Sequence, residues 1–157
     1  MLDGAHNALK LRPYLVARAC TLAPGSVANA ELPAKVSAGE LMANPTVFWS
    51  LTEQGAVDCR RNRLREAVAL FNRSLDVDGR SGTAVVNWLW LALASHKLGE
   101  NERARRWLDM ADAFLDSVGS ELPANAEHLF GLHLHNWLEA HVLRREAAAL
   151  LSPSPAK

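Results

Sequence analysis

The chain has 157 residues, of which 49% are apolar and 22% are charged. This composition is typical of a folded globular domain and excludes a chain that is disordered throughout. Seventeen basic and seventeen acidic side chains cancel. Because a nucleic-acid-binding domain usually carries a basic excess, the balance favours protein or small-molecule partners.

Cysteine content and apolar runs predict the compartment. Cys20 and Cys59 are the two cysteines. They have no paired spacing, which excludes a disulfide framework or a CxxC zinc site and suits a reducing cytosol. The longest apolar run, from Trp88 to Ala94, has seven residues, whereas a membrane span needs about 20. The start at Met1 shows no signal-peptide pattern. We therefore expect a soluble, cytoplasmic protein with no membrane partner.

Apolar spacing along the first half of the chain is helical, with no alternating strand pattern. It predicts a first helix over about 5–22, ended by Ala23-Pro24-Gly25-Ser26, and a second over about 30–42. Asn44-Pro45 predicts the start of a third helix that ends near Arg60, because Asn caps helices well and Pro suits the first helical position. A fourth helix places on one face Leu64, Ala67, Val68, Phe71 and Leu75.

The second half of the chain repeats this organisation. Residues 78–83 predict a polar turn, and the helix after it ends at Gly99, as at a C-terminal glycine cap. The apolar or small face of that helix carries Val85, Trp88, Leu91, Ala92, Ser95 and Leu98. The partner helix carries Ala104, Leu108, Ala111 and Leu115. A loop over 119–125 then leads to a long final helix.

The predicted fold class is all-α, with about seven helices in a helix-hairpin array of the α-solenoid type. We expect a single domain over 1–151. Its parts are an N-terminal helical pair (5–43), a degenerate repeat (45–76), a clearer repeat (84–116) and a long C-terminal capping helix (126–151). Residues 152–157 are expected to form a disordered tail.

An internal repeat underlies this prediction. Ala67 and Ala104 lie 37 residues apart, each in the middle of the same helix-pair pattern. Superposing them aligns Gly55 with Ala92 and Phe71 with Leu108. Such a period, with small residues where two helices must touch, is typical of stacked helix hairpins, which bind other proteins.

The clearer unit resembles a tetratricopeptide repeat. The residues at the motif's characteristic places are Trp88, Leu91, Ala92, Gly99, Ala104 and Ala111, while Asn101 replaces the usual aromatic residue. The earlier unit, 51–75, keeps Gly55, Ala67 and Phe71. It has Gln54, Asp58 and Asn62 where Leu, Tyr and Gly are usual, and neither unit ends in the customary proline.

A wider resemblance covers about Leu11 to Leu151. The stretches 17–24, 96–100, 104–109 and 136–147 resemble the repeat-bearing C-terminal region of certain large bacterial serine/threonine kinases and WD-repeat proteins. The resemblance implies a stand-alone copy or a severed tail of a signalling protein. It implies no kinase activity, because the chain lacks a Gly-rich loop with a Val-Ala-Ile-Lys strand, His-Arg-Asp and Asp-Phe-Gly.

In such an array the first helices of successive pairs line a concave face that binds extended peptides. The residues of that face predicted to bind a partner are Trp49, Thr52, Arg60, Val86, Leu89, Trp90, Leu93, His96 and Lys97, with Ala56 and Cys59 beside them. The basic end formed by Arg60, His96 and Lys97 suits a peptide, or a segment of a parent protein, with an apolar side chain and a carboxylate. In the alternative, Leu89, Trp90 and Leu93 pack against the N-terminal helices or a second copy of the chain.

Histidines raise a different hypothesis. His128, His133, His135 and His141 fall within one helix-sized segment, and His128, His135 and Glu139 share roughly one face. A metal could use such a set, but structural zinc needs four ligands and no second cluster matches. His141 shares a stripe with Leu134, Trp137 and Leu138, which favours a packed core histidine. We therefore predict no metal and no cofactor, and keep a histidine-based metal enzyme as the weaker alternative.

Arginines 60, 61, 63 and 65 straddle a turn between helices and are diluted by Asp58 and Glu66. They are interpreted as solvated turn charges, so no nucleic-acid partner is expected. No nucleophile on a special turn and no Gly-rich phosphate cradle appears, which argues against an enzyme. The predicted function is a protein-interaction module or scaffold in bacterial signalling. A structural or self-associating domain, including a homo-oligomer, is the alternative.

Overall fold

The computed structural model describes residues 13–25, 31–118 and 134–152. Within these ranges every element is an α-helix, so the all-α prediction is confirmed. The seven described helices are α1 Pro13–Thr21, α2 Glu31–Ala43, α3 Phe48–Arg60, α4 Leu64–Val77, α5 Ser81–Lys97, α6 Asn101–Val118 and α7 Leu134–Leu151. The predicted helical residues 5–12 and 126–133, and the tail after Ser152, lie outside the described residues.

Helices α3 and α4 form one hairpin, and α5 and α6 form a second with the same turn. Asn62 and Gly99, 37 residues apart, both have positive φ angles, of 63° and 81°. The matching backbone bonds, from N–H to carbonyl oxygen, are Asn62 to Cys59 (3.2 Å) and Arg63 to Asp58 (2.8 Å), then Gly99 to His96 (2.9 Å) and Glu100 to Ser95 (2.9 Å). Asn tolerates the left-handed region better than most residues, so it replaces the usual glycine in the first turn.

Small residues lie where the two helices of each hairpin touch. Ala67 and Ala104 are fully buried, as is Ala92. A Cβ atom on Gly55 would lie 2.6 Å from Cε1 of Phe71, which is closer than real Cβ contacts come. The close contact is therefore present at Gly55 in the first hairpin, and the small residues of the 37-residue pattern are buried in both hairpins.

Helix α5 is the centre of the structure. It packs against α3, α4, α6 and α7, and from Ala84 to Ser95 every residue except Trp88 is buried. A helix that is apolar on all sides buries all of its faces. The unbroken apolar run from Trp88 to Ala94 is the sequence signal of this position.

Helix α7 packs on α5 and α6, and α1 packs on α2 and α3. One large apolar core contains buried residues from all five helices α3, α4, α5, α6 and α7. A smaller cluster of Ala17, Ala34 and Val57 joins α1, α2 and α3. Helices α1 and α2 thus pack at the α3 end of the two hairpins and α7 packs on the second hairpin.

Two predicted boundaries were wrong by a few residues. Helix α3 begins at Phe48 rather than at Pro45, because the side chain of Asn44 donates to Glu40 Oε1 at 2.8 Å and caps no helix there. Helix α5 begins at Ser81, inside the predicted polar turn. Its first turn closes because the N–H groups of Thr83 and Ala84 donate to the carbonyl of Arg80, at 3.0 and 2.7 Å.

Candidate functional site

The concave face predicted from sequence is not open. Five of its nine residues are buried within the chain: Thr52, Val86, Leu89, Trp90 and Leu93, with relative exposures of 1% or less. These five side chains are therefore not accessible to a partner in this structure. Helix α7, whose apolar stripe joins the same core, packs along α5 and occupies the position expected for the peptide.

Trp90 shows how the face is covered. Its ring stacks on Phe71 with the centroids 6.1 Å apart, and its indole N–H donates to Glu139 Oε1 of α7 at 3.3 Å. The guanidinium of Arg60, on α3, lies 4.7 Å from the centroid of the same ring. Contacts from α3, α4 and α7 thus leave no part of Trp90 to a partner.

Arg60 is not a solvated turn charge, because it is mostly buried and links neighbouring helices. Its Nη1 and Nη2 donate to the two carboxylate oxygens of Glu146 in α7 at 2.5 and 2.7 Å. Its Nε donates to the carbonyl of Thr21 at 2.8 Å, and Nη2 also reaches the Leu22 carbonyl at 3.4 Å. Bidentate pairing of this kind fixes geometry as well as charge. Arg60 therefore joins α3 to both α1 and α7.

Two of the other three turn arginines, Arg61 and Arg63, are also paired. Arg61 Nη2 donates to Glu31 Oε1 at 2.7 Å, and Arg63 donates to Asp58. Arg65 is exposed on α4. Most of the basic charge at this turn is thus neutralised by acidic side chains, which leaves little of the field that attracts phosphate backbones.

A pocket of about 230 Å³ opens where α1, α3 and α5 end. Its lining residues are Cys20, Thr21, Ala23, Pro24, Gly25, Pro33, Val57, Arg60, Arg61 and Lys97. Two of them, Arg60 and Lys97, belong to the predicted site. Lys97 is exposed and makes no ion pair with any residue that the structure describes. The pocket thus combines apolar walls with one available ammonium group.

Two further predicted residues lie away from this pocket. His96 is partly exposed, and its Nδ1 lies 3.0 Å from Asn101 Oδ1 across the α5–α6 turn. Trp49 is partly buried, with the guanidinium of Arg18 4.9 Å from its ring centroid. The predicted basic end of Arg60, His96 and Lys97 is therefore brought together only in part.

Three buried charged side chains form a cluster that the sequence did not indicate. Arg18 of α1 pairs with Glu139 of α7, and its Nε lies 3.6 Å from Glu53 Oε1 of α3. The side chains of Arg18, Glu53 and Glu139 are 6%, 2% and 4% exposed. Burial, and then the nearby Glu139, raise the pKa of Glu53 well above its usual value, while Arg18 lowers it. We call these three residues the buried charge cluster.

A charged residue within a run of small or apolar residues was the available signal for this cluster. Arg18 stands between Ala17 and Ala19, and Glu139 stands between Leu138 and Ala140. A charged side chain at such a position can fall on a buried helical face, and buried charges are normally paired. The pairing itself, 121 positions apart along the chain, leaves no local pattern.

The structure does not bring the histidines and Glu139 together as a metal site within the residues that it describes. His128 and His133 lie outside the described residues, His135 is exposed, and Glu139 is buried in the charge cluster. Within the described ranges no group of three or more His, Cys, Asp and Glu side chains could hold a metal ion. His141 packs its ring 4.1 Å from that of Trp137. Burial, together with Arg144 and Arg145, lowers the pKa of His141.

Comparison with known proteins assigns the chain to no family: no family model matches it, and no curated protein matches it. Over the described residues, none of the helices combines the length and apolar character that crossing a membrane requires. The proposals below therefore depend on the geometry of the chain and on the resemblance of its repeats.

Proposed function

We propose that this chain is a tetratricopeptide-like protein-interaction module or scaffold in bacterial signalling. Two features support the repeat assignment. The α3–α4 and α5–α6 turns share their hydrogen bonds at an offset of 37 residues. Gly55 lies at a tight contact with Phe71, and Ala67, Ala92 and Ala104 are fully buried. The resemblance to kinase and WD-repeat tails supports a role in signalling.

The observation that carries the binding proposal is the pocket at the ends of α1, α3 and α5. Its volume of about 230 Å³ is below the roughly 300–1,000 Å³ usual for small-molecule sites. It therefore suits one side chain of a partner segment. An apolar side chain would pack against Cys20, Pro33 and Val57, and a neighbouring carboxylate would pair with Lys97 at the rim.

A peptide array tests this function. The labelled chain is applied to random peptides with free and with amidated C-termini, and the same is done with Lys97→Glu and Arg105→Glu. Arg105 is exposed on α6 and lines no part of the pocket, so its variant has the same net charge change as a control. We expect the native chain to bind peptides that have an apolar residue beside a carboxylate. Lys97→Glu should bind them about three- to tenfold more weakly, because an exposed charge pair contributes up to about 1 kcal/mol and the reversed charge repels the carboxylate.

Equal binding by the two charge variants would show that the pocket is not the binding site. An array on which the native chain binds nothing would count against the interaction function itself. Circular dichroism of both variants would show that each retains the native helix content.

A structural role is the second candidate, because helices of the chain itself cover the predicted face. In this function the chain is a helical spacer or self-associating domain severed from a larger kinase-type or WD-repeat protein. Sedimentation over a range of concentrations tests self-association. Metal analysis of the purified protein tests the third candidate, a histidine-based metal enzyme, which requires a stoichiometric metal.

A further inference from the structure

The buried charge cluster carries a net negative charge if both of its carboxyl groups are ionised. Two carboxylates, Glu53 and Glu139, then face a single guanidinium, that of Arg18, and all three side chains are at least nine-tenths buried. An uncompensated charge at such depth is strongly unfavourable because it has lost its hydration. A proton on one carboxyl group makes the cluster neutral.

Hydrogen bonding indicates which carboxyl group carries the proton. Glu139 receives hydrogen bonds from Arg18 and from the Trp90 indole, so its charge is stabilised. Neither oxygen of Glu53 has a hydrogen-bond partner among the described residues, and Arg18 Nη2 is also without one there. Glu53 is therefore the group whose charged form is least stabilised.

The charged groups that act on Glu53 come from two helices. Glu139 of α7 disfavours its ionisation, and Arg18 of α1 favours it. No charged side chain of α2, α4 or α5 among the described residues contributes. Burial is the largest cause, and together with Glu139 it outweighs Arg18, so the pKa of Glu53 is raised.

We infer that Arg18, Glu53 and Glu139 form a proton-controlled attachment of α1 to the rest of the domain. With Glu53 protonated, Arg18 pairs with Glu139 in a neutral cluster and holds α1 against α3 and α7. When Glu53 loses its proton to solvent, the cluster gains a buried negative charge, and separation of α1 becomes more favourable because it lets water reach both carboxylates.

This attachment bears on the pocket, and in that respect the inference rests on the proposed function. Five of the ten lining residues, from Cys20 to Gly25, belong to α1 and the turn after it. Arg60 provides a second attachment at the carbonyls of Thr21 and Leu22. Loosening at Arg18 would therefore reshape one wall of the pocket while the other wall, on α3 and α5, stays in place.

The direction of the pH effect follows from linkage. A carboxyl group whose pKa is higher in the folded state adds stability that is complete below its unfolded pKa and is lost as pH rises through its folded pKa. Each pH unit in that window lowers the folding equilibrium constant by up to about tenfold. The attachment of α1 is thus strongest below the ordinary pKa of glutamate, about 4.3, and weakens as pH rises from there toward the raised pKa of Glu53.

Trypsin cleavage after Arg18 measures the attachment, because that side chain is buried while α1 is in place. Wild-type protein and Glu53→Gln, which cannot ionise, are digested at several pH values, and mass spectrometry follows the Arg18–Ala19 cut. We expect the wild-type rate, divided by the Glu53→Gln rate, to rise with pH by up to about tenfold per unit. Taking the ratio removes the pH dependence of trypsin itself.

The same pH dependence in both proteins would overturn the inference. An infrared spectrum of wild-type protein with ¹³C-labelled glutamate is the second measurement, and it decides even if Glu53→Gln does not fold. As pH is raised from about 5, the band of the protonated Glu53 carboxyl group should disappear at a higher pH than the bands of exposed glutamates. If all these bands disappear together, the inference is overturned. Both measurements use the chain without a peptide. Their failure can therefore be told apart from a failure of the proposed binding function, which the peptide array tests.

Discussion

At the scale of single residues, side-chain size decides how closely the helices of a hairpin approach. Gly55 and Phe71 form the tightest contact, since a Cβ on Gly55 would lie 2.6 Å from the buried ring. The second hairpin has Ala92 and Leu108 at the equivalent places. In the second hairpin alanine thus replaces glycine, and the side chain at the position opposite, Leu108, is smaller than Phe71.

Gly55→Ala should destabilise the protein by about 1–3 kcal/mol, because the added methyl group would have to displace the fully buried Phe71 ring. Gly39→Ala is the matched control. Gly39 is also helical, but a Cβ added there would have nothing within 4 Å, so the better helix propensity of alanine should stabilise that variant by up to about 1 kcal/mol. Urea unfolding measures both. Similar stabilities for the two variants would contradict the tight contact.

At the scale of secondary-structure elements, the docking of α7 on α5 determines which residues can meet a partner. The helix is held by the Arg60–Glu146 pair, the Trp90–Glu139 bond and Arg144, which donates to Asp112 and Asp116 of α6 at 2.7 and 2.8 Å. The Arg144 contacts are partly exposed, and such pairs contribute little. The more buried contacts of Arg60 and Trp90 therefore carry more of the docking specificity.

Trp90→Ala should destabilise the protein by about 3–5 kcal/mol, since the whole ring is buried between α3, α4 and α7. The groove hypothesis from sequence expects almost no change. Met42→Ala is the control: its side chain is 84% exposed, and exposed positions usually change stability by less than about 0.5 kcal/mol. Denaturant midpoints decide, and a Trp90→Ala midpoint equal to that of Met42→Ala would refute the docked position of α7.

At the scale of the whole molecule, the two cysteines report on different parts of the fold. Cys59 is fully buried in the main core, and burial is the largest cause that raises its pKa to about 11. Cys20 is partly exposed at the wall of the pocket. Because the thiolate is the reactive form and needs access to the reagent, the two thiols should differ widely in rate.

In native buffer near pH 8, we expect a disulfide reagent to modify Cys20 rapidly and Cys59 only as the core opens. The Cys20→Ser variant isolates the reaction of Cys59, and urea should accelerate that reaction as the unfolded population increases. Absorbance of the released thiolate measures both rates. Rapid modification of Cys59 in the native protein would contradict the closed core.

The sequence predicted helix positions and hairpin contacts well because these depend on nearby residues. Gly99 follows the end of α5 with the positive φ angle expected of a C-terminal glycine, and Ala67 and Ala104 are fully buried as expected. The helix start predicted at Asn44-Pro45 was wrong, since the side chain of Asn44 donates a hydrogen bond to Glu40 and does not cap a helix. The candidate site was predicted less well. Lys97 lines an open pocket, whereas Trp90, which was expected in the same groove, is fully buried.

The sequence by itself determined that the chain is helical, where most helices lie, and that two hairpins share a 37-residue pattern, because periodicity and turn residues act over a few positions. Only the tertiary structure decided which surface is covered. That outcome depends on α7 packing against α5 and on Arg18 meeting Glu139, 121 positions away. Contacts so distant in the chain are governed by the shape and charge of whole faces. For this reason, the open pocket and the buried charge cluster became visible only in three dimensions.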